Sequence, residues 1–287
     1  MPSESVYATP QLITRLDECS FYHTMDVPGY GCVKGQWDLR QAVPEYLGNV
    51  NVKGKRVLDI GTASGFVSFY AEQQGAEVVA FDLSESQSWD IVPFAQEYEN
   101  NPSNLKSRIK RLNNSFWLCH HAFHSNAKMI YGSVYEIPNQ MGMVDISILG
   151  CLLLHLRDPF LALENALRLT TETVIIVESM ATLVPNNQKY VARYLERIPE
   201  KKSELLKFLP ESEIVRADSP VMQFSPDFGK RRPDDGYTWW LLTPEIVRQF
   251  IGVLGFERAE TIYHSRAIAY GRRRLMYTIV GHRTKPV

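Results

Sequence analysis

From about residue 55 to residue 180 two hydrophobic periods alternate along the chain. RVLDI (56–60) reads as a buried strand, SGFVSFYAEQQG (64–75) spaces its apolar positions as a helix does, and EVVAFDL (77–83) is again strand-like. Gly75 predicts the helix stop. A polar stretch rich in Asn and His follows, then the runs KMIYGSV (128–134) and VDISILG (144–150). Asp158 and Pro159 supply an N-cap and a first-turn proline for DPFLALENALRLT, which leads into TVIIVES (173–179). Buried apolar strands separated by helices predict a parallel sheet covered on both faces, a doubly wound α/β domain.

Beyond Ser179 the pattern breaks into charged, Pro-bearing sequence from about 181 to 237. It resumes with a helix, TPEIVRQFIGVLG, capped by Thr243 with Pro244 in its first turn. The strands FERAETIYHS and RRRLMYTIVGHR then lie too close together for a crossover helix, so they are expected to pair antiparallel at the sheet edge. Four segments result: residues 1–50, dense in Tyr and other aromatics and without a clear sheet pattern; a core over 51–180; an insertion over 181–242; and a closing helix and hairpin over 243–287. The two irregular segments are candidates for a lid and a cap over a site.

Composition narrows the class. In 287 residues, 45% apolar and 22% charged, 31 Lys+Arg nearly cancel 32 Asp+Glu to leave a net charge of −1. Disorder and coiled coil are excluded for the chain as a whole. A protein that coats nucleic acid usually carries a strong basic excess, which is absent here. Cys19, Cys32, Cys119 and Cys151 form no C-x-x-C pair, which predicts reduced thiols. The start MPSESVYATP has neither a basic nor an apolar leader region, and no apolar run reaches spanning length. A soluble cytoplasmic protein without a membrane partner, a monomer or homodimer, is the expectation.

The most informative string is VLDIGTASGF, set between a strand and a helix. Gly61 permits a sharp turn, and Gly65 lets the helix start approach a ligand at the strand's carboxyl end. The nicotinamide fingerprint G-x-G-x-x-G is not met, because the spacing is Gly61-x-x-x-Gly65. Asp59, just before the turn, would repel a pyrophosphate but suits an ammonium. Asp82 ends the second strand, 82 − 61 = 21 residues after Gly61, where a carboxylate can accept both hydroxyls of a ribose. Ammonium, sulfonium and ribose together describe S-adenosylmethionine.

On VLDIGTASGF, VVAFDL, IYGSVYEIP and ILGCLLLHLRDP the chain resembles the class I S-adenosylmethionine-dependent methyltransferases, over roughly 53–179 and again from Thr243. The resemblance implies a Rossmann-like, mostly parallel seven-stranded sheet, with an N-terminal lid and an insertion after the fifth strand. It implies that the turn of Asp59, Gly61, Thr62, Ala63 and Gly65 lies against the methionine part of the donor and that Asp82 holds its ribose. Gly132 to Val134 would line the adenine, so Ser133 and Val134 join the cofactor set with Leu83 and Gly150. S-adenosylhomocysteine would be the product. Ser133 stands where many members carry an aspartate, which shifts adenine recognition toward backbone groups, and Thr62-Ala63 replaces the commoner Cys-Gly.

Within that family the nearest likeness is to the branch that transfers a carboxymethyl group to the wobble uridine of tRNA. It rests on Trp37-Asp38, on Gly54 to Gly61, on the L-x-H-x-R-x-P string and on the TPE helix that ends in Gly255-Phe256. In that branch a tyrosine precedes the histidine that matches His155, and here Leu154 stands in its place. Lys34-Gly35 resembles the branch's lysine-glycine pair, at a shorter spacing to the glycine turn.

Ligands of a doubly wound sheet lie beyond the carboxyl ends of its strands, which makes His155 and Glu178 the nearest ionisable groups after two strands. Either is a candidate base or orienting group for an acceptor; the alternative is a loop-binding histidine and a structural carboxylate. FYHTMDVPGYGCVKGQWDLR adds His23 and Asp26 as further candidates for base duty, and Tyr22, Tyr30, Gln36 and Trp37 as acceptor contacts, with Arg40 nearby. Trp239 and Trp240 suit a pocket wall equally well as packing of the insertion. His120, His121 and His124 lack a completing Cys or paired carboxylate, so no metal is expected and a solvated helix face is favoured. The basic clusters 230–232 and 272–274 lack interleaved stacking aromatics and read as solvated charge.

The resulting expectation is methyl transfer to an oxygen or nitrogen of a small metabolite, a natural product or sugar-bearing intermediate. Its alternatives are a tRNA-modifying methyl- or carboxymethyltransferase and a non-catalytic S-adenosylmethionine-binding protein.

Overall fold

A computed structural model describes residues 5–90, 102–180, 220–227, 238–268 and 272–287. After a 3-10 turn at Leu16–Glu18 come β1 (Met25–Val27), β2 (Gly31–Val33), β3 (Trp37–Asp38) and α1 (Val43–Tyr46). The alternating core then runs β4 (Arg56–Ile60), α2 (Phe66–Gln73), β5 (Glu77–Asp82), α3 (Pro102–Ala122), β6 (Lys128–Tyr131), β7 (Val144–Gly150), α4 (Pro159–Leu167) and β8 (Thr170–Ser179). The described remainder holds β9 (Met222–Asp227), β10 (Thr238–Leu242), α5 (Pro244–Val253), β11 (Arg258–Ile268) and β12 (Arg272–His282).

The main sheet has the order β3-β11-β12-β8-β7-β4-β5-β6. β6, β5, β4, β7 and β8 are parallel, and β12 and β11 are antiparallel, as the short link between them requires. Strand order reverses between β4 and β7, which opens a crevice at their carboxyl ends. The seven strands expected from the sequence gain an eighth, because Trp37-Asp38 pairs with Ile268-Ala267 at the edge. Two residues are too short a run to show a period of two, so residues 1–50 gave no such signal.

Both faces of the sheet are covered, which is why its central strands β4, β5, β7 and β8 carry continuous buried runs rather than alternating ones. On one face Leu58, Ile60, Phe81 and Ile176 pack with Leu163 and Leu167 of α4 and Ile251 of α5. On the other, Val57, Ala80, Ile148 and Val177 meet Phe69 of α2, Phe116 and Trp117 of α3, and Trp37, Leu39 and Tyr46 from the N-terminal segment. Each fully buried Val, Leu, Ile or Phe among them contributes about 1.5–3 kcal/mol relative to exposure. The N-terminal segment is therefore a structural layer of the domain.

Local signals mostly hold. Asp158 caps α4 by accepting from the Leu161 amide at 3.0 Å, and Gly75, at φ +91°, follows the end of α2. One polar stretch gains an element, and one expectation needs correction. The Asn- and His-rich stretch is the crossover helix α3; Leu105, Ile109, Phe116 and Cys119 form its buried stripe at helical spacing, diluted by Lys, Arg and Asn on the other faces. Thr243 precedes α5 but does not cap it through its side chain. Its hydroxyl instead accepts from the Val221 amide at 3.0 Å and reaches the Val221 carbonyl at 3.2 Å, which ties α5 to the chain leading into β9. Most of the insertion, at 181–219 and 228–237, lies outside the described residues; its described part is the antiparallel β9–β10 pair.

Candidate functional site

The glycine turn joins the carboxyl end of β4 to α2. Gly61, Ala63 and Gly65 all have left-handed backbones, at φ +74°, +51° and +85°. Gly65 is also confined by packing, since a Cβ there would lie 2.3 Å from the Phe69 ring. The turn hangs on β5: the Gly61 amide donates to the Phe81 carbonyl at 2.8 Å, and the Ala63 amide donates to Oδ2 of Asp82 at 2.7 Å. The other Asp82 oxygen accepts from the Leu83 amide at 2.7 Å. Burial raises the pKa of Asp82 while these two amides oppose the rise. Each carboxylate oxygen keeps lone-pair capacity beyond its single amide partner.

Asp59 is 3% exposed and accepts from the Ser68 hydroxyl at 2.7 Å, and Ser68 also bonds to Thr62 at 2.9 Å. Desolvation pushes Asp59 up to about 6, against the pull of Ser68 and Thr62. Asp59 thus braces α2 against the turn in addition to lying beneath the crevice. Ser68 gives no motif signal that would have marked it.

The N-terminal segment crosses this turn at its middle. The His23 amide reaches the Ser64 hydroxyl at 3.4 Å, and the imidazole lies 5.3 Å from the Phe66 ring at the start of α2 and 4.9 Å, edge-on, from Tyr22. Gly35 is required behind it, because a Cβ there would lie 2.4 Å from the His23 backbone. His23 is 8% exposed, its Nδ1 has no hydrogen-bond partner, and desolvation lowers its pKa to about 3. It is a neutral ring at pH 7 and a weak base.

A second group of residues forms where β7 and β8 end. Glu178 is 2% exposed and accepts from the Leu153 amide at 2.8 Å, with the Leu152 and Leu154 amides also bonding to it. These residues begin the 3-10 turn Leu153–His155, so the carboxyl holds the turn that carries the half-buried His155. Burial raises Glu178 to about 8 despite the three amides. Cys151, at φ +51°, directs its amide to the Val177 carbonyl at 2.7 Å. Its thiol meets the Tyr46 hydroxyl, and a Cβ on Gly150 would lie 2.7 Å from that same hydroxyl. Tyr46 and Cys151 have no sequence signature, since α1 is a single turn and meets β7 only through the fold.

The remaining predicted residues are dispersed. Asp26 is exposed and paired with Arg40 at 2.8 Å, and Arg40 also grips Asp38. Tyr30 donates its hydroxyl to the Thr14 carbonyl at 2.9 Å; Gln36 is half-buried and Lys34 exposed. Trp37 is buried beneath the guanidinium of Arg274, 5.9 Å from its ring centre. Ser133 accepts from the Tyr135 amide at 3.3 Å through its hydroxyl and from the Glu136 amide at 2.9 Å through its carbonyl, and Val134 is buried. Trp239 and Trp240 bond through their indole N–H groups to the carbonyls of Asp90, at 2.7 Å, and Arg157, at 3.3 Å. Asp90 in turn accepts from the Tyr135 hydroxyl and from the backbone and side chain of Arg157, so it clasps the loops after β5, β6 and β7. His120 points at the Ala127 carbonyl at 3.0 Å, and among the described residues no three His, Cys, Asp or Glu side chains are grouped to hold a metal.

The fold is that of the class I methyltransferases. The N-terminal domain of EvdMO1, crystallised with S-adenosylhomocysteine and D-fucose, superposes with a TM-score of 0.52 over 93% of this chain and 92% of its own, at 14% identity. The magnesium protoporphyrin IX methyltransferase ChlM of Synechocystis PCC 6803 matches 86% of this chain and 82% of its own at 13% identity, with a TM-score of 0.47. A putative methyltransferase of Bacillus halodurans C-125 matches 85% and 100% at 14% identity, with a TM-score of 0.46. No protein-family model matches the chain, and no curated protein matches its sequence.

Proposed function

We propose that this chain is an S-adenosylmethionine-dependent methyltransferase acting on an oxygen or nitrogen of a small metabolite, a natural product or sugar-bearing intermediate. The observation that carries the reading is the Ala63–Asp82 hydrogen bond, which fuses a turn of three left-handed residues to an acid at the next strand end. That donor set suits a ligand with a cationic amino-acid end and a vicinal diol. The co-crystallised sugar of the similar EvdMO1 domain favours a sugar-bearing acceptor.

Asp82 would hold the ribose, the backbone of the 61–65 turn the methionine part, and Ser133 and Val134 the adenine edge. When bound, the donor supplies an electrophilic methyl on a sulfonium. The chain's own task is then to hold an acceptor atom in line, and to take its proton if it carries one. His155 is the candidate base, because it follows the carboxyl end of β7 and its turn is fixed by Glu178. His23, held neutral with a pKa near 3, would contribute a wall and a hydrogen-bonding nitrogen. Glu178 is a positioning residue.

The direct test is to denature the purified protein, identify any released nucleoside by mass, and titrate the emptied protein with S-adenosylhomocysteine by calorimetry. Absence of binding would remove this function.

A further inference from the structure

We propose that Arg274 is the anchor for an anionic acceptor, one whose carboxylate or phosphate lies beside the reacting atom. This rests on the methyltransferase reading above and adds a substrate class to it. In the ladder Met276 pairs with Ser179, the last residue of β8, so Arg274 lies two residues past the carboxyl end of that strand, on the crevice side of the sheet. Its side chain is half-buried and extends over Trp37. Its charge is felt at the Tyr22 hydroxyl and the Cys151 thiol, where it opposes the effect of burial.

The comparison with neighbouring arginines is what singles it out. Arg266, directly opposite on β11, has Glu45 at 2.9 Å. Arg40 has Asp26 and Asp38, both at 2.8 Å. Among the described residues no carboxylate forms an ion pair with Arg274. Glu178, the acid nearest in effect at Tyr22 and Cys151, is bound to backbone amides and holds its proton up to about pH 8, so it is no counter-charge at neutral pH. A partly desolvated guanidinium is costly without an anion, and its planar fork matches the paired oxygens of a carboxylate or phosphate. Tyr22, which is half-buried, would flank the body of such a ligand, with Trp37 supporting the guanidinium from beneath.

The test uses the full chain saturated with S-adenosylhomocysteine and three probes, benzoate, phenyl phosphate and neutral benzamide, titrated by saturation-transfer NMR. At least one anion should bind at least tenfold more tightly than benzamide to the wild type, and the tighter of the two names the anion. Arg274→Gln should erase the preference and Arg274→Lys keep part of it, with donor-product affinity unchanged in both. Benzamide binding as well as the anions, or a preference retained by Arg274→Gln, overturns the proposal. So does a carboxylated donor that outcompetes S-adenosylmethionine tenfold in the wild type but not in Arg274→Gln, which would assign the anion to the donor. If Arg274→Gln fails to fold by circular dichroism, the lysine variant and the wild-type preference decide. If the wild type binds no S-adenosylhomocysteine, the function proposed above fails, and the same probes on the unliganded protein judge Arg274 separately.

Discussion

The Ala63 amide and the Asp82 carboxylate are joined at 2.7 Å across the carboxyl ends of β4 and β5, so the glycine turn and the second acid form one unit. Asp82→Ala is expected to weaken S-adenosylhomocysteine binding by about 1.5–3 kcal/mol, the range for a hydrogen bond to a charged group. Asp82→Asn can still accept from Ala63 through its amide oxygen and should retain part of the affinity. Calorimetry on folded variants checks this; an unchanged Asp82→Ala removes the ribose role.

Glu178 and Asp59 make stability depend on pH. Burial raises them to about 8 and about 6, above their ordinary carboxylate values. The folded chain therefore holds these protons more tightly than the unfolded chain. Their contribution is complete below about pH 4 and is lost as pH rises through about 6 and then about 8. Thermal melts should show stability falling over that window. Glu178→Gln keeps an acceptor for the Leu153 amide and should flatten the upper part of the fall. An identical slope in the variant would refute the burial argument.

His155 is expected to matter for turnover and little for donor affinity. If it takes the acceptor's proton, His155→Ala should lower kcat by about 100-fold or more. Glu178→Gln should cost less, because the turn survives. A wild-type rate for His155→Ala would shift attention to an acceptor that needs no base.

The N-terminal segment is expected to be protected before any ligand arrives. The Thr24 amide donates to the Trp37 carbonyl at 2.7 Å and the Trp37 amide to the Tyr22 carbonyl at 3.1 Å, beneath buried Trp37. Hydrogen exchange should be slow there without S-adenosylhomocysteine, and addition of the ligand should slow it further around His23 and Ser64. Fast exchange that becomes slow only on binding would instead describe a closing lid.

Leu154 bears on the choice of donor. A buried carboxylate without donors is costly, and a leucine side chain cannot supply a hydrogen bond. Lys34, a possible replacement, is exposed. S-adenosylmethionine is expected to bind at least as tightly as its carboxylated analogue. A tenfold advantage for the analogue in competition, about 1.4 kcal/mol, would favour the tRNA branch.

What the residues alone determined is the part of the protein whose physics is local or periodic. Apolar runs at strand length, Gly75 after α2, Asp158 at the start of α4 and the 21-residue step from Gly61 to Asp82 are all readable because each feature lies within one element or one β-α-β unit. Tertiary structure alone decided what depends on distant elements meeting. Trp37-Asp38 becomes a strand only because β11 offers it an edge, and Tyr46 reaches Cys151 only across the sheet. Glu178 is held by amides 25 residues upstream, and Arg274 and Trp37, at opposite ends of the chain, are brought together by the β3–β11–β12 edge. A side chain's partners set its charge state and its task, and partners brought by long-range pairing leave no periodic trace in the sequence.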